Sequence, residues 1–179
     1  MPIRARLRTD RGFQELLRKF PPNATDELRR DIDTSALKAA RICQLEMQRL
    51  YKEGVPGHRP NHPFTVFMKG SSQPLKETGE MANAVVVFMS RSGQDKKFSV
   101  GFPDDKNGMK ARNAELGIWI RITPKMRRFL FRHGLWLRRS TRFIRIPPRP
   151  VLPTTVERAV PRMSSSITKY LKIQIDKKK

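Results

Sequence analysis

Apolar residues recur at steps of three and four through the first third of the chain. Leu28, Ile32, Ala36, Ala39, Cys43, Met47 and Leu50 share one face down to Tyr51, the spacing of an amphipathic α-helix. Asn23 or Thr25 is placed to cap it, Asp26 and Glu27 suit the positive end of its dipole, and Gly54 stops it. The small side chains of Ala36, Ala39 and Ala40 allow another element to approach closely. Ahead of this helix, Asp10 can cap a shorter one carrying Phe13, Leu16, Leu17 and Phe20, which Pro21 and Pro22 end.

The period then changes to two. Ala84 to Met89 reads as a strand by its β-branched content, and Phe98, Val100 and Phe102 alternate as a second. Leu116, Ile118, Ile120 and Ile122 alternate as a third, with Trp119 and Arg121 on the other face; Arg142 to Ile146 is the fourth. Gly54 to Pro74 reads as a loop in which Phe64 to Met68 forms a short strand, Thr78 to Asn83 as one helical turn, and Pro103 to Gly108 as a polar turn. Thr123 and Pro124 form a helix start, the Thr as N-cap and the Pro at the first position, for a helix that Gly134 ends. Short helices near Thr154 to Val160 and Pro161 to Leu171 precede the terminal lysines. The expected class is α+β: a long amphipathic helix packed on a small, mainly antiparallel sheet of about four strands, with extended N- and C-terminal arms. The expected divisions are a basic arm and short helix over 1–22, a core domain over 23–150, and a C-terminal arm or helix over 151–179.

At 179 residues, 37% of them apolar, the chain suits one domain with extensions. No apolar run approaches the roughly 20 residues that span a membrane. The basic N-terminus is followed by no apolar segment, so no signal peptide is expected and synthesis in a cytoplasm is. The single cysteine, Cys43, sits within the helical pattern and is expected as a buried, inert thiol.

Charge changes the picture most. Lys and Arg number 38 against 16 Asp and Glu, a formal +22, and Leu116 to Val156 holds ten Lys or Arg with no acid. Self-repulsion of that size opposes compaction and calls for a polyanion or an acidic partner. Arg127, Arg128, Arg132, Arg138, Arg139 and Arg142 are the residues expected to face DNA or an acidic partner, with Trp119 and Trp136 bordering them.

Catalytic chemistry, by contrast, has no residues to build it. The chain has no Gly-rich phosphate loop, no Cys/His cluster at metal spacing and no nucleophile elbow. His58 and His62 fall in a proline-rich stretch where a spacing of four has no helical meaning, and Asp104 and Asp105 read as a solvated hairpin tip. The expectation is a non-enzymatic protein with no cofactor and no metal.

Three segments carry a resemblance. Pro74-Leu-Lys-Glu-Thr-Gly-Glu-Met-Ala-Asn-Ala84 is similar to the leucine, acidic, Thr-Gly, apolar, Asn-or-Ser element of the virion-morphogenesis and tail-completion proteins, the neck proteins of Mu-like and lambda-like tailed bacteriophages. Ile122-Thr-Pro-Lys-Met-Arg-Arg-Phe-Leu130 and Ile144-Arg-Ile-Pro-Pro-Arg-Pro-Val-Leu152 resemble the same family's later "Thr-Pro-Lys-Met-Arg" and "Ile-Pro-Ala-Arg-Pro-Phe-Leu" elements, in the same order. Val151 stands where the family usually has Phe, Pro148 where it often has Ala, and Glu80-Met81 where a basic or polar residue and Leu are common. The resemblance implies an α+β subunit of a homo-oligomeric, commonly hexameric, ring in the virion neck. That ring would join connector or head-completion proteins to tail-terminator or tail-tube proteins around packaged DNA, with no membrane, and would be assembled in the host cytoplasm. Thr78, Gly79, Asn83, Thr123, Pro124, Pro147, Arg149 and Pro150 would then act through backbone geometry. The alternative is a free basic nucleic-acid-binding protein, ribosome-associated or architectural.

Overall fold

The computed structural model describes residues 22–70, 72, 79–92 and 95–177. The N-terminal arm, the helix expected after Asp10, and Thr78 lie outside them. Helix α1 spans Pro22–Glu53, starting ahead of the two expected caps with a proline at its first position, where the missing N–H costs no hydrogen bond. Gly54 ends it as expected, at φ +87°, its amide donating to the Leu50 carbonyl at 2.9 Å. The buried face is the expected one from Ala39 and Ala40 through Cys43, Met47, Leu50 and Tyr51. Burial pushes the Cys43 thiol pKa up, which keeps it protonated and unreactive.

The segment after α1 departs from expectation. Phe64 to Met68 is part of a helix, α2 (Pro63–Lys69), and not a strand. Pro63 opens it, the Val66 amide donates to the His62 carbonyl at 3.0 Å, and the Gly70 amide donates to Val66 at 2.7 Å. The β propensity of Phe, Thr and Val is overridden because no neighbouring strand offers a ladder. The expected single turn before the first strand is α3 (Glu80–Asn83), entered from Gly79 at φ +76°.

Strands β1 (Val86–Ser92) and β2 (Asp95–Gly101) pair antiparallel from Val86–Gly101 to Ser92–Asp95. The polar turn and hairpin tip expected at Pro103 to Gly108 are instead the start of a helix, α4 (Lys106–Leu116). Asp105 is its N-cap, its carboxylate accepting from the amides of Asn107 at 2.8 Å and Gly108 at 3.0 Å. Gly108 is required there, since a Cβ would collide with the Pro103 carbonyl.

Strand β3 (Ile118–Arg121), helix α5 (Pro124–Arg132) and strand β4 (Phe143–Ile146) follow, and β3 pairs antiparallel with β4. The four strands thus form two separate two-stranded ladders. The C-terminal segment is neither an extended arm nor two short helices. It is one helix, α6 (Leu152–Lys177), which runs through Pro161. Packing overrides the proline: α6 lies along α1 in the most extensive contact between described elements. Glu46 of α1, its side chain 3% exposed, sits 3.0 Å from Arg162 and 3.7 Å from Arg158 of α6. Further along, the Lys38 ammonium lies 3.8 Å from the Tyr170 ring. These pairings run in opposite sequence directions, so the two helices are antiparallel.

The core lies between α1, α6, the start of β1 and the end of β2. Met47, Leu50, Tyr51, Val85, Val100, Val151 and Ala159 are buried there. Gln44 ties α1 to this layer, its amide donating to the Val85 carbonyl at 2.8 Å, and Lys96 pairs with Asp33 at 2.7 Å. Among the described residues no helix is long and apolar enough to cross a membrane.

Candidate functional site

The acid-free stretch folds into one structural unit. It consists of the β3–β4 ladder, α5 and the loop from His133 to Arg142, and no element of the α1–α6 body packs extensively against it. The ladder pairs Ile118 with Ile146, Trp119 with Arg145, Ile120 with Ile144 and Arg121 with Phe143. The Ile122 amide extends it by donating to the Arg142 carbonyl at 2.9 Å.

Local chemistry sets each part of this lobe. Thr123 caps α5 as expected, its hydroxyl accepting from the Met126 amide at 3.2 Å, with Pro124 following at the first helical position. At the other end Gly134, at φ +81°, donates to Phe131 at 3.0 Å while Leu135 donates to Leu130 at 2.9 Å, the two bonds of a Schellman cap. Leu130 is the lobe's one fully buried hydrophobic residue.

The arginines divide into two groups. Arg128, Arg132, Arg138, Arg139 and Arg142 are exposed. Arg127 is half-buried, and its guanidinium donates to the carbonyls of Leu137 at 3.2 Å, Arg138 at 2.9 Å and Thr141 at 2.6 Å. Three of its N–H groups therefore hold the loop that presents Arg138 and Arg139, a positioning role that the run of arginines in the sequence does not reveal.

Gly117, Arg149 and Glu115 build the junction between the lobe and the body. Gly117 adopts φ +72° and ψ 165°, and a Cβ there would stand 2.8 Å from the Ile146 carbonyl oxygen and 2.9 Å from the Pro148 nitrogen. The Arg149 amide donates to Ala114, and its guanidinium donates to the Asn61 side-chain oxygen at 2.7 Å, holding the loop after α1. Burial lowers the Arg149 pKa. Beyond Pro150, Glu115 accepts from the amides of Val151 at 2.7 Å and Leu152 at 3.0 Å, so a carboxylate on α4 caps α6. Val151 is fully buried at this junction, whereas Pro147 and Pro150 are exposed. Gly79 provides the left-handed entry to α3, whose last residue, Asn83, donates its amide to the Gly79 carbonyl at 3.1 Å.

Besides the arginines, the lobe exposes large apolar groups. Trp136 is 75% exposed, Trp119 65%, Phe131 54% and Phe143 51%, a density far above that of singly scattered surface hydrophobics. Arg145 lies 5.7 Å from the Trp119 ring, and Phe131 meets Trp136 edge-on at 4.5 Å. Phe131 and Phe143 were not expected here. For Phe131 a signal was available in α5, where Phe129, Leu130 and Phe131 are consecutive and so cannot all face one core; for Phe143, at the start of β4, there was none.

No family model, curated protein or solved structure matches the chain. The site has to be read from its own chemistry. A surface of guanidinium forks and aromatic faces, without a carboxylate, is suited to binding anionic or apolar groups. Among the described residues no three His, Cys, Asp or Glu side chains group as metal ligands.

Proposed function

We propose that this protein is a non-enzymatic structural subunit of a tailed bacteriophage, a neck or tail-completion protein whose copies form a ring around packaged DNA, between the head connector and the tail. The observation that carries the reading is the lobe, where nine cations without one acid stand beside exposed Trp119, Phe131, Trp136 and Phe143. A solvated surface needs no such aromatics, and a simple polyanion binder needs few. Their combination fits a subunit that meets protein on one side and negative charge on another. The resemblance of three segments to the neck-protein elements adds support, and the last of them, through Arg149 and the Pro147–Pro150 stretch, spans the junction between lobe and body.

Particles assembled without this protein test the reading. Negative-stain imaging is expected to show filled heads and tails that fail to join, or tails that lack their upper end. Normal, infectious, tailed virions would refute it.

One observation favours the second reading, a free nucleic-acid-binding protein: Arg145 stacks near Trp119 on an open face, an arrangement that also accepts a base or a phosphate. A free binder contacting about six to ten phosphates loses roughly 10³–10⁵ in affinity between about 50 and 200 mM salt. Purified protein without tight, salt-sensitive binding to duplex DNA or RNA excludes that reading and leaves the first standing.

A further inference from the structure

A groove of about 1130 Å³ opens on the body between the β1–β2 hairpin, α4 and the last turns of α1. Its lining is mainly apolar, with Met47, Phe88, Phe98 and Met109, and Met109 is 67% exposed. In a chain of net charge +22 the same groove carries Asp104, Asp105 and Glu115 against only Lys97 and Arg112. Tyr51 also lines it, and its buried hydroxyl has no hydrogen-bond partner among the described residues. Burial, and secondarily Glu115, raise the Tyr51 pKa, so the phenol stays neutral and able to donate.

An occupant for this groove must be apolar and basic. Residues 13–20, Phe-Gln-Glu-Leu-Leu-Arg-Lys-Phe, are that: Phe13, Leu16, Leu17 and Phe20 supply the bulk, and Arg18 and Lys19 outweigh Glu15 to leave the segment basic. Geometry decides which copy provides them. Tyr51 lies 29 residues after Pro22 along α1, which at 1.5 Å per residue is about 43 Å. Phe13 precedes Pro22 by nine residues, a reach of at most roughly 32 Å even when fully extended. The groove floor is therefore beyond this segment in its own chain.

We infer that the groove between α4, the β1–β2 hairpin and the end of α1 receives residues Phe13–Phe20 of a second copy of this chain. The contact joins two different surfaces head to tail, and repeated it closes a ring or grows a filament. It rests on the proposed function only for the premise that copies assemble, and it is read on purified protein without a virion.

The test mixes two differently tagged full-length chains, Leu17→Cys and Met109→Cys, under mild oxidation. Buried Cys43 stays in both as an internal negative control. A mixed-tag disulfide dimer is expected several-fold above that formed between Leu17→Cys and Ser164→Cys, which lies on an exposed turn of α6. Adding Asp104→Lys to the Met109→Cys chain is expected to lower the yield, and a peptide of residues Thr9–Pro21 to compete it away. A yield equal to the α6 control overturns the inference. So does an intrachain bond in a Leu17→Cys, Met109→Cys double variant at high dilution, or a peptide that does not compete. Because no virion is involved, a failed cross-link leaves the neck reading to be judged on its own assembly test.

Discussion

Gly117→Ala isolates the junction that orients the lobe. The native backbone there, φ +72° with ψ 165°, lies in a region almost exclusive to glycine, and holding another residue in it costs about 1–3 kcal/mol. The added methyl would also stand 2.8 Å from the Ile146 carbonyl oxygen and 2.9 Å from the Pro148 nitrogen, both backbone atoms that cannot rotate away. A smaller unfolded-state entropy returns roughly 0.4–1 kcal/mol, so the net loss expected is about 2–4 kcal/mol. For a chain of this size that is roughly 5–15 °C in Tm if the whole fold responds. Because the lobe makes few contacts with the body, part of the loss should be local. Amide exchange in Ile118–Arg121 and Phe143–Ile146 is expected to quicken, while the α1–α6 core stays protected. Gly134→Ala is the control, since Gly134 has φ +81° but nothing within 4 Å of a Cβ. Its cost should be the backbone term alone, about 1 kcal/mol. Equal effects of the two substitutions on Tm and on exchange would refute the claim that close packing at Gly117 fixes the lobe.

Four further outcomes are expected. Arg127→Ala releases three carbonyls and should cost about 1–3 kcal/mol with faster exchange in the 137–141 loop, whereas Arg128→Ala should stay within about 0.5 kcal/mol, both read by urea denaturation. Glu46→Ala leaves Arg158 and Arg162 unpaired and should cost about 1–3 kcal/mol; this is below the value for a fully buried pair because both guanidinia are partly solvated, and no change in Tm would dismiss the clamp. Tyr51 has its pKa raised from an ordinary value of 10.0, so its contribution is present below that pH and is lost as pH rises, the unfolded chain ionising first. Wild-type stability should therefore fall relative to Tyr51→Phe above about pH 10, and parallel curves would contradict it. Arg128→Glu with Arg132→Glu should leave stability unchanged or raise it by easing self-repulsion, yet abolish incorporation into particles; a large fall in Tm would make these arginines structural instead.

What the sequence revealed followed the strength of each periodic signal. The buried face of α1 was legible because seven apolar positions repeat over it, and the Thr123–Gly134 helix because both caps are spelled out in residue types. Helix α4 was missed because its interior, Asn107-Gly-Met-Lys-Ala-Arg-Asn, has almost no apolar stripe and buries only Ala111; the one clear signal was Asp105 as a cap, which reads equally as a turn. Helix α6 was divided at Pro161 because propensity alone penalises proline in a helix, whereas packing against α1 restores more than the lost hydrogen bond. Within the site, the exposed arginines were visible as a run, but the clamp role of Arg127 was not. It depends on carbonyls ten to fourteen residues downstream that only the folded loop brings within reach.

The body and the lobe obey different rules, and the difference bears on function. The body pairs some of its charges internally: Glu46 meets Arg158 and Arg162, Asp33 meets Lys96, and Glu115 caps α6. The lobe has no acid with which to do so, although it contributes nine of the 38 cations. Apart from the Arg127 clamp, folding therefore gains little from those charges, and their mutual repulsion works against the lobe's small core around Leu130. The exposed aromatics add apolar surface in water that the fold does not cover either. Two separate costs, one electrostatic and one hydrophobic, thus fall on the same stretch, and both are relieved by the same event, docking against a surface that is anionic and apolar. The proposed ring, enclosing DNA and contacting its neighbours, would provide both at once; bare nucleic acid would answer the charge but leave Phe131, Phe143 and Trp136 only partly covered.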